Sequence, residues 1–211
     1  VPSPGKTTKR RGRRQGEPVS RDVVLRAAKR QFAVHGYDKT PLRAIADDAR
    51  VDPSMILYLF GSKAALFRES MKLVLPSELL TTALAEKDDD LGCRIVRAYL
   101  GIWEHPDTAA SMASMVASAT SNSDAKDAFR GFVHDYLLAA VSSVLGGGEE
   151  ARLRAMLAAT NLVGIAMLRY IMRVPPLSSL TVDEVVRFVG PAVHRFLTAP
   201  ADELGLDVAP Q

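Results

Sequence analysis

Apolar residues recur three and four positions apart along nearly the whole chain, and no stretch shows the strict alternation of a half-buried strand. The pattern predicts one helix after another. The first starts near Ser20, carries Val24, Ala27, Ala28 and Phe32 on one face, and stops at Gly36. A second, short helix covers Leu42 to Ala49 with Ile45 and Ala46 inward; Thr40 is its expected N-cap and Pro41 its first residue, where the missing N–H costs nothing. After a break at Arg50–Val51–Asp52, Asp52 caps a third helix that opens on Pro53 and offers Met55, Ile56, Tyr58 and Leu59 as an apolar face. A fourth helix begins at Ser62 and runs through Leu66, Phe67, Met71 and Val74 to a break near Pro76.

The remainder reads the same way. A short piece covers Ser77 to Glu86, and the acidic run Asp88–Asp90 reads as a surface loop or a helix start, where negative charge suits the dipole. Leu91 to Glu104 is amphipathic, with Ile95, Tyr99, Ile102 and Trp103 inward. Pro106 opens a helix through Met112 and Met115 to about Thr120. Ser123 to Leu145 reads as one helix that stops at Gly146–Gly148. Glu149 to Met172 is apolar nearly all round, which predicts burial on two sides, and Pro175–Pro176 ends it. The last helix opens on a capping box, Thr181 to Glu184, with a kink expected at Gly190–Pro191. The fold class is all-α.

Charge changes this picture. The net +3 hides an asymmetry: residues 1–70 hold 15 Lys and Arg against 7 Asp and Glu, the rest 12 against 17. A basic first third is the electrostatic footprint of a polyanion-binding domain. Residues 1–19, rich in Pro, Gly, Lys and Arg without apolar periodicity, read as a mobile basic arm. Arg10, Arg11, Arg13 and Arg14 are its candidates for phosphate or minor-groove contact, the alternative being a solvated tail. Cys93 stands alone, so a reducing compartment is natural, and with no signal peptide evident a cytoplasmic location is expected. The greasiest run, Ala155 to Leu168, is shorter than the roughly 20 residues a membrane span needs, so no membrane partner is expected.

The two short helices between Thr40 and Lys63 lay out a helix-turn-helix, whose second helix enters the major groove and reads bases with its amino-terminal residues. Ala27–Ala28, Phe32, Gly36–Tyr37, Thr40, Ile45–Ala46, Val51, Leu57–Tyr58, Phe60, Ser62–Lys63 and Leu66–Phe67 stand at the spacing of the TetR family of bacterial transcriptional regulators, whose amino-terminal domain residues 20 to 71 resemble. Two positions depart from that pattern: Arg50 where the turn usually has glycine, and Asp52 where serine usually precedes the second helix. The resemblance implies a DNA-binding domain over 20–66, a helical effector-binding and dimerisation domain over 67–200, and a tail over 201–211. It implies DNA contacts from Thr40, Tyr58 and Lys63 to phosphates and from Arg43 to a guanine edge, with Ser54 and Met55 near the bases.

Tyr99, Trp103, Met112, Met115, Phe129, Phe132 and Tyr136 fall on three consecutive helices in the second part. One by one they read as plain core; the resemblance turns the group toward a small-molecule pocket. For the dimer, Leu157, Val163 and Met167 on the apolar helix and Val185, Val189 and Val193 on the last are the candidate contacts. Catalysis finds no motif: the histidines have no metal-ligand spacing, His134 and Asp135 are expected to point apart, and neither a phosphate loop nor GxSxG occurs. No cofactor or metal is expected. The chain thus reads as a homodimeric DNA-binding regulator, a repressor released from a palindromic operator by a small apolar or amphipathic effector. Its rivals are a regulator answering to a protein partner or to no ligand, and a helical ligand-binding protein or enzyme with a vestigial head.

Overall fold

The computed structural model describes residues 20–85 and 90–206. Among these residues it contains helices and turns and no strand. The first three, α1 (Arg21–His35), α2 (Leu42–Ala49) and α3 (Pro53–Phe60), form a small head closed by α4 (Lys63–Met71). Val24, Ala27, Ala28, Ile45, Ala46 and Ile56 are fully buried where these helices meet.

The caps differ from expectation at one point. Pro41 takes the N-cap place of α2, and Thr40 is wholly buried. Its hydroxyl donates to the carbonyls of Gly36 at 2.7 Å and Gln31 at 3.2 Å. The carbonyls at a helix end need donors, and Thr40 serves those of α1 instead of the N–H groups of α2. Asp52 does cap α3, accepting from the Ser54 N–H at 2.8 Å, and Ser62 caps α4 through the Ala65 N–H. Arg50 occupies the left-handed region, φ 56° and ψ 44°. It returns its N–H to α2 at a cost of about 1 kcal/mol that glycine would avoid.

The larger part holds α5 (Ser77–Ala83), α6 (Leu91–Glu104), α7 (Pro106–Ser121) and α8 (Ser123–Phe132). The single helix expected from Ser123 to Leu145 is interrupted. A π-helical segment, Val133–Leu138, separates α8 from α9 (Ala139–Val144). Then come α10 (Gly148–Ala166), a second π segment Met167–Ile171, and α11 (Val182–Thr198), which opens on the expected capping box and runs on through Pro191.

Two cores result. One joins α1 and α4 of the head to α6, α7 and α8 through Phe32, Phe67, Met71, Trp103, Met115 and Phe132. The boundary expected at residue 66 therefore falls inside α4, a helix shared by both parts. The other core gathers Leu91, Ile95, Val96 and Leu100 of α6 with Val185, Val186 and Val193 of α11. Here two glycines let the backbones meet. A Cβ on Gly92 would press on the Gly190 carbonyl oxygen and lie 2.5 Å from the His194 nitrogen, and one on Gly190 would lie 2.5 Å from Cys93 Sγ. An ion pair, Arg97–Asp183 at 2.7 Å, holds the same crossing.

That crossing corrects part of the expected dimer face. Val185 and Val193 are fully buried within the chain, and Val189 packs on the same core. Their four-residue repeat marks the face α11 turns to α6. Large apolar exposure lies elsewhere, on Leu153, Met156, Val163 and Leu168 of α10 and its continuation, and on Phe188 of α11. The expectation that α10 is buried on two sides is met on one, by Ala151, Ala155, Ala158 and Ile165. Gly148–Ile171 is long and apolar enough by composition to cross a membrane, and a third of its most apolar stretch is buried in the chain. Arg154 donates from that helix to the last carbonyls of α11, Phe196 at 3.3 Å and Ala199 at 2.7 Å, which ties α10 into the bundle.

Candidate nucleic-acid interface and effector cavity

The recognition helix α3 has eight residues, too few to hold itself in water, so its angle depends on its anchors. Ile56 and Phe60 anchor it from below. Outward it presents Tyr58, 83 % exposed, with Leu57 and Ser54 also exposed and Met55 partly so. Arg43 on α2 is exposed beside it, with no ion pair among the described residues. Asp52, at the leading edge, is held below the usual carboxylate range by its hydrogen bonds from Ser54, and stays charged.

Lys63 begins α4, with its ammonium 4.4 Å from the Tyr37 ring centroid. Burial pulls its pKa down, while Asp38 and Asp124 push it up. The ring supports the ammonium at a helix amino terminus, the place where free N–H groups gather a phosphate. Thr40, by contrast, is withdrawn from the surface and its proton is committed to α1. Its hydroxyl is turned to α1 and not presented at the surface. Arg10, Arg11, Arg13 and Arg14 lie outside the described residues.

Arg21 carries no signal in the sequence beyond being one more basic residue, yet it is the clamp on α3. Nη1 donates to the Leu59 carbonyl at 2.8 Å, the guanidinium lies 4.2 Å from the Phe60 ring centroid, and Nη2 sits 3.8 Å from Glu69 of α4. One side chain thus joins three helices. Arg21→Ala is expected to weaken specific DNA binding about tenfold while the log–log salt slope stays unchanged, since a positioning group releases no counterion. Titrations at several salt concentrations check this; a slope reduced by about one would make Arg21 a phosphate contact instead.

The head is also wired to the bundle by hydrogen bonds. Ser114 of α7 donates to the Phe32 carbonyl at 2.5 Å, Ser118 accepts from the Tyr37 N–H at 3.0 Å, and Asn122 donates to Asp38 at 2.6 Å. All three satisfy backbone or carboxylate groups in the last turn of α1 or the loop after it.

An apolar cavity of about 560 Å³ lies between α6, the π segment with α9, and α10. Of the expected pocket residues, Tyr99 and Phe129 line it. Trp103, Met112, Met115, Phe132 and Tyr136 do not; they pack into the core that joins the head to the bundle, Trp103 stacked on Tyr170 at 5.2 Å and Phe132 on Tyr136 at 5.4 Å. The walls come instead from aliphatic residues, among them Ile95, Leu137, Leu138, Val141 and Leu162. Residues of that kind look like core in a sequence. Only the three-dimensional gap between them shows the site.

His134 and Asp135, expected to diverge, hydrogen-bond at 2.8 Å on the exposed π segment. The proton from His134 holds Asp135 below the usual carboxylate range. Among the described residues no three potential ligands gather to hold a metal ion.

A family profile described as "Bacterial regulatory proteins, tetR family" matches residues 24–70, and one described as "Tetracyclin repressor-like, C-terminal domain" matches residues 89–197. No curated protein matches the chain. Among solved structures, a TetR-family regulator from Streptomyces coelicolor A3 is 34 % identical, with a TM-score of 0.63 over 88 % of this chain and 98 % of its own. The multidrug binding protein EbrR, complexed with imidazole, is 17 % identical, with a TM-score of 0.60 over 86 % of this chain and 91 % of its own. NalD of Pseudomonas aeruginosa, the secondary repressor of the MexAB-OprM multidrug efflux pump, is 20 % identical, with a TM-score of 0.55 over 85 % and 96 %. The last two likenesses speak to the fold.

Proposed function

From the premise that this chain belongs to the TetR family of transcriptional regulators, we propose that it is a homodimeric repressor, released from a palindromic operator by a small apolar or amphipathic molecule in the α6–α10 cavity. The observation that carries the reading is the presentation of α3: Tyr58 is 83 % exposed on a helix whose inner face and both ends are fixed. A large aromatic left in water on a rigid scaffold, beside an Arg43 with no ion pair among the described residues, suits a partner surface. Tyr58 and Lys63 then meet phosphates, while Arg43, Ser54 and Met55 face base edges. That NalD is a repressor supports the same outcome here.

The dimer is formed through exposed residues of α10, the π segment that continues it and α11: Leu153, Val163, Leu168 and Phe188. A two-fold pair matches two half-sites separated by whole helical turns. The release mechanism is a population shift. Along α8, Phe129 faces the cavity, Phe132 enters the core shared with the head, and Gly131 lies against Arg68 of α4. A ligand pressing on Phe129 moves the helix on which α4 rests, and so changes the spacing of the two reading heads.

The test begins with operator selection from random duplex DNA. Lys63→Ala is expected to weaken binding to every operator variant alike and to lower the salt slope by about one. Tyr58→Phe should cost roughly 2–10-fold, one hydrogen bond to phosphate. Unchanged affinity in both variants would take these residues out of the interface, and failure to enrich any sequence would overturn the DNA-binding reading.

A further inference from the structure

We infer that the ligand of the α6–α10 cavity is an uncharged, hydrocarbon-rich molecule with at most one hydrogen-bonding group, which it presents to the hydroxyl of Tyr99. The inference rests on the reading of that cavity as the effector site and decides between its two ligand classes, apolar and amphipathic.

Among the described residues that line the cavity none is charged. Most of its wall is helix, whose backbone N–H and C=O groups are spent in their own ladders, while Leu75 and Leu84 line it from turns. The polar side-chain atoms are those of Thr160 and Tyr99. Thr160 has already committed its proton, donating to the Leu157 carbonyl at 2.6 Å. The Tyr99 oxygen lies beside the Trp103 side chain, which can only donate, so the phenol keeps its own proton to give; burial outweighs that contact and pushes the phenol up to about 12, which keeps it a neutral donor across the physiological range. A carboxylate or ammonium brought into this space would lose its water and find no opposite charge, which is the costly case for a buried ion. A hydrocarbon chain or ring system gains from every wall it touches. Met156, Thr160 and Val163, the exposed part of the lining, are uncharged as well, and Val163 lies on the face assigned to the dimer, so this chain offers nothing at the mouth that selects an ionic head.

Three ten-carbon probes isolate the charge: 1-decanol, decanoate and decylammonium, each titrated into the full chain at pH 7.5, with decane as the hydrocarbon reference. Calorimetric or thermal-shift titration reads binding; a gel shift on the selected operator reads release. Decanol is expected to bind at least about 100-fold tighter than either ion. Tyr99→Phe should weaken decanol several-fold and leave decane unchanged. Decanoate or decylammonium binding within threefold of decanol would overturn the inference, since the head would then sit in water at the mouth. So would a Tyr99→Phe protein that binds decanol as the parent does, or the failure of all four probes to bind. Decanol binding without operator release would leave the ligand class standing and sink the effector role. Loss of operator binding in the ligand-free chain would instead sink the DNA-binding reading.

Discussion

Gly92→Ala is expected to cost about 3 kcal/mol or more, at the upper end of what overpacking does, and to lower the melting temperature by about 6–12 °C. The added methyl would press on the Gly190 carbonyl oxygen and stand 2.5 Å from the His194 nitrogen. Those are backbone atoms of α11, not the ends of flexible side chains, so relief requires the two helices to part. Parting them opens the core in which Leu91, Ile95 and Val96 meet Val185 and Val193, and it strains the Arg97–Asp183 pair across the same crossing. The control lies nine residues away on the same helix. Gly101 is exposed, and a Cβ there would meet nothing within 4 Å. Gly101→Ala should therefore stabilise the chain by about 0.5–1 kcal/mol, the helix-propensity difference alone. Thermal unfolding of both variants decides the point. A Gly92→Ala protein that melts like the parent would mean that α6 and α11 do not cross this closely in solution.

The sequence announced the helices whose ends are chemically marked. Leu42 to Ala49 and Leu91 to Glu104 have the predicted limits, and the capping box at Thr181 forms in full. It misled where a mark has two uses. Thr40 beside Pro41 looks like a cap, but a buried hydroxyl serves whichever carbonyls it can reach, and those belong to α1. It was silent on the π segment at Val133–Leu138, because one wider turn leaves an apolar pattern nearly intact.

Site residues divide along the same line. On α3 the buried residues are Ile56 and Phe60, and Tyr58, read from the sequence as part of one apolar face with Ile56, lies about half a turn away from it and is exposed. Which face of an all-apolar helix meets its own chain does not follow from period either, so the spacing of Val185, Val189 and Val193 located a core, while Phe188 was left outside. The cavity was hardest to see. Aromatics and methionines drew attention to Trp103, Met115 and Phe132, yet the walls are written in leucine, valine and alanine, the letters of ordinary packing. The close crossing at Gly92, Cys93 and Gly190 was not read from the sequence either, because small residues on a helix carry no sign of the backbone they will meet.

Phe67→Ala is expected to cost about 3–5 kcal/mol through the cavity it leaves, and to abolish operator binding even at temperatures where the protein stays folded. Phe67 is wholly buried on α4. Its ring meets Phe32 edge-on at 4.9 Å and Tyr37 at 5.1 Å, and Tyr37 in turn supports the Lys63 ammonium. Removing the ring therefore loosens the contact of α1 with α4 and the platform under the phosphate-facing lysine at once. The loss must be separated from simple instability, and a second truncation of similar cost does so. Leu100→Ala empties a fully buried place in the other core, between α6 and α11, at about 2–5 kcal/mol. It lies away from the head. At a temperature where circular dichroism shows both variants folded, Leu100→Ala should bind operator as the parent does, and Phe67→Ala should not. If both bind alike, the shared core carries stability only, and the head keeps its orientation without it.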